Sequence, residues 1–318
     1  MHLGARESEK LGDVIVIACP GQGSQTPGFL SEWIEDPAAR SFLDSASEAA
    51  GVDLVAHGTE SDADTIRATE IAQPLIVAAS ILAWRALSER VDLAAAGVAG
   101  HSVGEFAAAV AAGVLDADDA MRLVGVRGRA MAEAAAAEQT GMSAVVGGIE
   151  EDVLAAIEAA GLTPANRNGG GQIVAAGSFA GLAALAENGP RGARVIPLQV
   201  AGAFHTAYMA SAVPLLAQAA ASVEASDPVR PLWSNADGGI VTSGAAFVDS
   251  LVSQIANPVR WDACMDSFTA AGITGLIELT PAGALSGIAK RALKGVPAVA
   301  VKTPADLDAA VELILGAA

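Results

Sequence analysis

The apolar positions of this 318-residue chain fall into two rhythms. The first is one of unbroken runs. Val14 to Cys19 (VIVIAC) is apolar throughout and closed by Pro20-Gly21, the pattern of a strand buried on both faces in a parallel sheet. Residues 97–99, 231–234, 273–279 and 298–301 read as further buried strands. Between them, helices are predicted over 37–51, 70–90, 103–112 and 117–138, with a C-terminal helix around LSGIAKRALK. Strands alternating with helices predict an α/β core. The second rhythm occupies residues 140–200: strand 142–147, helix 150–160, strands 163–168 and 172–176 around Gly169-Gly170-Gly171, helix 179–187 and strand 194–200. That is the β-α-β-β-α-β order of a ferredoxin-like unit. The expected organisation is a flexible leader over 1–12, a core from 13–139 and 201–318, and a ferredoxin-like subdomain at 140–200.

Composition narrows the field. The chain is 52% hydrophobic but only 4% aromatic, so Ala-rich, closely packed helices are expected around a large core. A net charge of −18 without any Lys/Arg-rich run argues against nucleic-acid binding. No unbroken apolar run reaches the ~20 residues that span a bilayer, and the first dozen residues lack the apolar stretch of a signal peptide, so no membrane association is expected. Cys19 and Cys264 have neither metal nor redox spacing; they read as buried small hydrophobes in a reducing, cytoplasmic setting.

The chemistry gathers around Gly100-His101-Ser102-Val103-Gly104, which matches the G-x-S-x-G nucleophile elbow. A chain with 34 glycines also yields this pentapeptide as an ordinary turn, but the strand before it and the helix after it favour the elbow. A serine hydroxyl needs a base. Of the four histidines, His2 lies in the leader, His57 in a polar loop, and His101 too close to Ser102 to reach its oxygen. His205, where the chain returns to the core, remains as base, or alternatively as a structural histidine. Gln22, in the glycine-rich Pro20-Gly21-Gln22-Gly23-Ser24-Gln25, and Val103, just after the serine, are the candidate backbone donors of an oxyanion hole. Arg127 suits a substrate carboxylate, although by sequence alone a solvated helix arginine is the better reading.

The ordered motifs PGQGSQ (20–25), AQPLI (72–76), GHSVGE (100–105), RGRAM (127–131), GAFHT (202–206), LWSN (232–235) and NPVRW (257–261) carry a resemblance. From about residue 14 onward the chain resembles the malonyl-CoA:acyl carrier protein transacylases, the acyltransferase family of fatty-acid and polyketide synthesis. The resemblance implies an α/β-hydrolase-like core with a ferredoxin-like insert. It implies Ser102 as acyl-carrying nucleophile, His205 as base, Gln22 and Val103 as oxyanion donors and Arg127 as clamp for the malonyl carboxylate. Gln254 matches the position whose main-chain carbonyl steers the histidine. Asn166 and Asn168 match paired asparagines near the cleft, His101 a histidine behind the nucleophile, and Phe204 the bulky residue associated with malonyl over methyl-branched substrates. The implied reaction is ping-pong transfer of malonyl from malonyl-CoA to the phosphopantetheine thiol of acyl carrier protein, supplying fatty-acid synthesis. No metal and no permanently bound cofactor are expected, and the chain is expected to act as a monomer. Because carrier proteins are acidic, a local basic patch is required; Lys290, Arg291 and Lys294 are the candidates, with Arg191 and Arg194 in the insert. A plain serine hydrolase, a non-enzymatic module and a methylmalonyl-specific transferase are the competing readings.

Overall fold

The computed structural model describes residues 14–316; the leader predicted over 1–12 lies outside the described residues. The first half of the core contains β1 (Ile15–Cys19), α1 (Pro37–Ala50), α2 (Leu54–Thr59), α3 (Thr69–Ser88), β2 (Gly97–Gly100), α4 (Gly104–Ala111) and α5 (Ala117–Ala137). Then come β3 (Thr140–Gly147), α6 (Glu150–Ala159), β4 (Thr163–Gly169), β5 (Gln172–Ser178), α7 (Phe179–Glu187) and β6 (Ala193–Pro197). The chain returns through α8 (Val213–Ala220), β7 (Leu232–Trp233), α9 (Gly244–Ser253), β8 (Val259–Arg260), α10 (Trp261–Ala271), β9 (Gly275–Glu278), α11 (Ala284–Ala292), β10 (Ala298–Ala300) and α12 (Leu307–Ile314).

The first sheet has the order β10-β9-β1-β2-β7 and is parallel throughout. All five residues of β1 are buried, as an apolar run covered on both faces requires. Helix α3 is long and apolar enough to cross a membrane by length and composition alone, but 72% of its most apolar window is buried inside the fold. It packs extensively on α5 and α4. His57 lies on α2 rather than in a loop, because Asp53 caps that helix by accepting from the Ala56 N–H at 2.9 Å.

The second sheet has the order β6-β3-β5-β4, antiparallel, and β8 joins its end parallel to β4. Period-2 alternation divides its faces. Val145, Ile173 and Ala175 pack with Val153 and Ile157 of α6 and Leu182 and Leu185 of α7, while Met142, Ala144 and Val174 face the first sheet's side. β6 stops at Pro197, three residues short of the expected 200, and two of its five residues are half-buried with the rest exposed, as befits an edge.

At the far side of the first sheet, Glu278 ends β9 fully buried. Its carboxylate accepts from the N–H groups of Gly283 (2.8 Å), Leu285 (2.9 Å) and Ser286 (2.8 Å), tying down the start of α11. The acid takes up the orphan donors and favours the positive end of the helix dipole.

Candidate active site

β1 and β2 run side by side with Cys19 opposite Gly100, so both end at one edge of the first sheet, and Ser102 sits just beyond it. Its φ of 53° is left-handed, a strained setting for a side-chain-bearing residue. The flanking glycines are there for contact rather than freedom. A Cβ on Gly100 would lie 2.2 Å from the Glu105 nitrogen, and one on Gly104 would lie 2.2 Å from the Cys19 oxygen. Helix α4 starts at once, so the sharp strand-to-helix bend expected from the pentapeptide is present.

His205, with φ 61°, is 4% exposed. Its Nε2 lies 2.7 Å from the Ser102 Oγ, and its Nδ1 lies 2.9 Å from the Gln254 main-chain oxygen. A carbonyl can only accept, so Nδ1 carries the proton and Nε2 is left to accept from the hydroxyl. Burial and the nearby Arg127 charge push this imidazole down to about 3, keeping it in the neutral form a base needs.

Arg127 is 1% exposed, against the solvated position favoured by sequence alone. The cause lies beside it. Gly125 and Gly128 let α5 approach α1 and α3 closely: a Cβ on Gly125 would meet the Ala50 oxygen at 2.3 Å, and one on Gly128 the Glu70 Cα at 3.2 Å. The arginine is thereby carried inward. Its Nη1 donates to Gln73 Oε1 at 2.6 Å and its Nη2 to Gln254 Oε1 at 2.8 Å. Burial lowers it to about 10, still a cation at neutral pH. Buried but held only by neutral amides, the guanidinium has room for an anionic partner.

Ser102, His205 and Arg127 open onto one cleft of about 280 Å³ between the two sheets. Gln22, Val103, His101, Phe204, Asn166 and Asn168 line the same cleft. Neither Gln22 nor Val103 spends its backbone N–H on a hydrogen bond among the described residues. The Gln22 side chain donates to the Arg67 oxygen at 3.1 Å, pinning its loop. His101 bonds Asn168 Oδ1 through Nε2 at 2.8 Å, and Asn168 donates to Gln172 Oε1 at 3.0 Å. Burial pulls His101 below the ordinary histidine value. Between the two asparagines, Arg167 points the other way, to Glu150 and to Asp262 of α10 (3.3 Å), where the second sheet meets the core.

Lys290, Arg291 and Lys294 stay on the surface and do not enter the cleft. Arg291 donates to the Gly170 oxygen (3.3 Å), linking the C-terminal end of α11 to the β4–β5 turn, while Leu285 and Ile288 of the same helix line the cleft. Among the described residues no group of three or more His, Cys, Asp or Glu side chains is placed to hold a metal ion.

Three residues acquired no role from sequence although they stand in the quoted motifs. Gln73 of AQPLI holds Arg127. Glu105 of GHSVGE is 1% exposed and accepts from the Asn235 N–H (2.7 Å) and Gln254 Nε2 (2.5 Å). Asn235 of LWSN donates through Nδ2 to the Gly100 oxygen at 2.6 Å. The available signal was a polar side chain inside an otherwise apolar helix or strand, since such groups are buried only when paired.

The Acyl transferase domain family model matches residues 16–313. A malonyl CoA-acyl carrier protein transacylase of Mycobacterium tuberculosis (strain ATCC 25618 / H37Rv) is 53% identical over 297 residues, covering 93% of this chain and 98% of that protein. The crystal structure of MCAT from Mycobacterium tuberculosis superposes with a TM-score of 0.90 at 53% identity, covering 93% of this chain and 99% of that one. A complex of a type II PKS acyl-carrier protein with its malonyl-transacylase contains a chain that matches with a TM-score of 0.86 at 34% identity, covering 95% and 99%.

Proposed function

Since the chain belongs to the acyl transferase domain family, among its malonyl CoA-acyl carrier protein transacylases, we propose that it works by a two-stage transfer through malonyl-Ser102. It moves malonyl from malonyl-CoA to acyl carrier protein for fatty-acid synthesis. The observation that carries the proposed route is the 2.7 Å contact between Ser102 and a neutral His205 in the cleft that also holds the buried Arg127 cation.

In the first stage Ser102 Oγ attacks the thioester carbon and His205 Nε2 takes the hydroxyl proton. The oxyanion is held by the N–H groups of Gln22 and Val103. Collapse breaks the C–S bond, and the imidazolium returns its proton to the departing CoA sulfur. In the second stage the phosphopantetheine thiol gives its proton to His205 and attacks the malonyl ester. The Ser102 oxygen leaves and recovers a proton from the imidazolium. The Gln254 carbonyl keeps the ring in the required tautomer throughout. Arg127 pairs with the malonyl carboxylate; an acetyl group would leave the buried cation unpaired, which is the basis of selection. Phe204 narrows the cleft beside the acyl group, and Asn166 and Asn168 line the wall opposite Ser102.

The other assignments follow from this reading. The insert at 140–200 serves as one wall of the cleft, with 13–139 and 201–318 as the core. No permanently bound cofactor takes part, the enzyme acts as a monomer, and the free, buried Cys19 and Cys264 fit a reducing cytoplasm. Lys290, Arg291 and Lys294 receive the acidic carrier. A plain hydrolase would set a carboxylate against His205 Nδ1, where this chain has a carbonyl.

The test is intact-protein mass spectrometry after brief mixing with malonyl-CoA. A malonyl-sized gain is expected that vanishes in Ser102→Ala, falls about 100-fold in rate in Arg127→Ala, and is discharged by holo acyl carrier protein. Accumulation of free malonate with no adduct would replace the proposal with hydrolysis. For docking, Lys290→Glu with Arg291→Glu is expected to slow discharge to the carrier while leaving loading from malonyl-CoA intact. Equal loss in both half-reactions removes the patch from the account.

A further inference from the structure

Gln254 touches every working part of the site. Its main-chain oxygen takes the His205 Nδ1 proton, its Oε1 accepts from Arg127 Nη2, and its Nε2 donates toward Glu105 Oε2 (2.5 Å), with the Ser102 and Asn235 oxygens each 3.2 Å away. An amide has two orientations, and only one suits these neighbours: three acceptors surround the nitrogen and a guanidinium faces the oxygen. Of the three acceptors, Glu105 is the nearest and the only carboxyl. The carboxylate is itself fixed, because its other oxygen accepts from the Asn235 backbone N–H at 2.7 Å. Buried beneath the nucleophile, Glu105 does not line the cleft.

We infer that Glu105 is a positioning residue for substrate selection: by accepting from the Gln254 amide it fixes that amide's orientation, which aims Arg127 at the acyl carboxylate. Burial raises the Glu105 carboxyl to about 8, only partly offset by its N–H donors and the Arg127 charge; the acceptor role rests on the geometry, since both of its oxygens face N–H donors. Glu105→Gln replaces the acceptor with a donor. The Asn235 N–H demands an oxygen, so the new NH2 must face the Gln254 NH2. Either that donor clash persists, or the Gln254 amide turns over and presents N–H to Arg127. Turning the amide over strips the guanidinium of its hydrogen-bond acceptor on that side, a persisting clash pushes that acceptor out of place, and neither touches the Gln254 main-chain carbonyl that serves His205.

The inference rests on malonyl loading at Ser102, and its experiment separates the two. Acyl-enzyme formation is timed with malonyl-CoA and with acetyl-CoA for wild type, Glu105→Gln, Glu105→Asp, Gln254→Met and the Glu105→Gln/Gln254→Met double variant, with thermal unfolding recorded for each. If wild type forms no malonyl adduct, the loading mechanism itself fails. If it does, Glu105→Gln is expected to lower the malonyl:acetyl ratio of kcat/KM by about 10- to 100-fold. In the Gln254→Met background the same change is expected to lower the ratio little further, because the amide through which Glu105 acts is gone. A proportional fall for both substrates, an unchanged ratio, or full additivity in the double variant overturns the inference. Should Glu105→Gln not fold, Glu105→Asp decides. It keeps the carboxylate one methylene short, and the inference requires a smaller loss of the same ratio, whereas a purely structural role requires lower thermal stability at constant ratio.

Discussion

The two walls of the cleft are built differently. Below Ser102, every residue of β1 and β2 is buried and the strands lie in the middle of a parallel sheet. Opposite, β6 is an exposed edge of an antiparallel sheet, and β4 meets the core through a two-residue pairing with β8 and ion pairs around Arg167. The lower wall holds Ser102, His205, Arg127 and the Gln254–Glu105 contact in one connected set of hydrogen bonds. The upper wall contributes Asn166 and Asn168 from one face of a single strand. On the proposed mechanism, groups that must meet a reacting atom at bond-making distance sit where packing fixes them, and groups that shape the opening sit on the lobe with fewer restraints.

The largest break in this contrast is expected from Gly104→Ala. Its Cβ would fall 2.2 Å from the Cys19 oxygen and 2.7 Å from the Pro20 oxygen, both backbone atoms that cannot move aside. A loss of about 3 kcal/mol or more in urea unfolding, with loss of loading, is the expected outcome. Gly192 on the upper lobe has φ +79° but open space around it, so Gly192→Ala is expected to cost only about 1 kcal/mol through backbone strain and to spare loading. Equal costs at the two glycines would erase the distinction. A smaller break comes from Asn168→Ala, which leaves His101 Nε2 without its acceptor. About 1–2 kcal/mol is expected in unfolding, with Ser102 still acylated.

A pH profile sharpens the comparison with the least perturbation. An exposed histidine near 6.5 would lose its basic form in mild acid. His205, pushed down to about 3, is expected to keep Ser102 acylation flat from pH 8 to about pH 5 in single-turnover mixing. Stability moves in the opposite sense. The unfolded chain protonates this residue near 6.5 and the folded chain resists, so unfolding is favoured progressively as pH falls from 6.5 toward 3. An acylation rate that halves near pH 6.5 would mean that His205 is solvated in the working enzyme.

The lower sheet was legible because a continuous apolar run has few alternatives, and the β-α-β-β-α-β order because its alternation and its glycine turn agree. The apolar pattern predicts four residues for β7, of which two pair, and gives no sign of β8, since two residues carry no period. Ser102 and His205 could be named by chemistry and elimination. Arg127 could not be placed from its own neighbourhood: a helix arginine is ordinarily solvated, and its burial depends on glycines whose partners, Ala50 and Glu70, are distant in sequence. Gln254 was matched for its carbonyl alone, while its amide partners Arg127, Glu105 and Asn235 come from three separate stretches of chain.

The Glu278 tether on α11 has a practical reading. Three hydrogen bonds fasten one end of that helix to the sheet, and Leu285 and Ile288 present a finished surface to the cleft, while Lys290 and Arg291 project at the opposite end. The helix thus works like a key with a fixed bit and an interchangeable bow. If the proposed docking holds, an engineer seeking to redirect the enzyme toward a foreign carrier would rewrite the outer charges as an address label and leave the cleft-facing end as it stands.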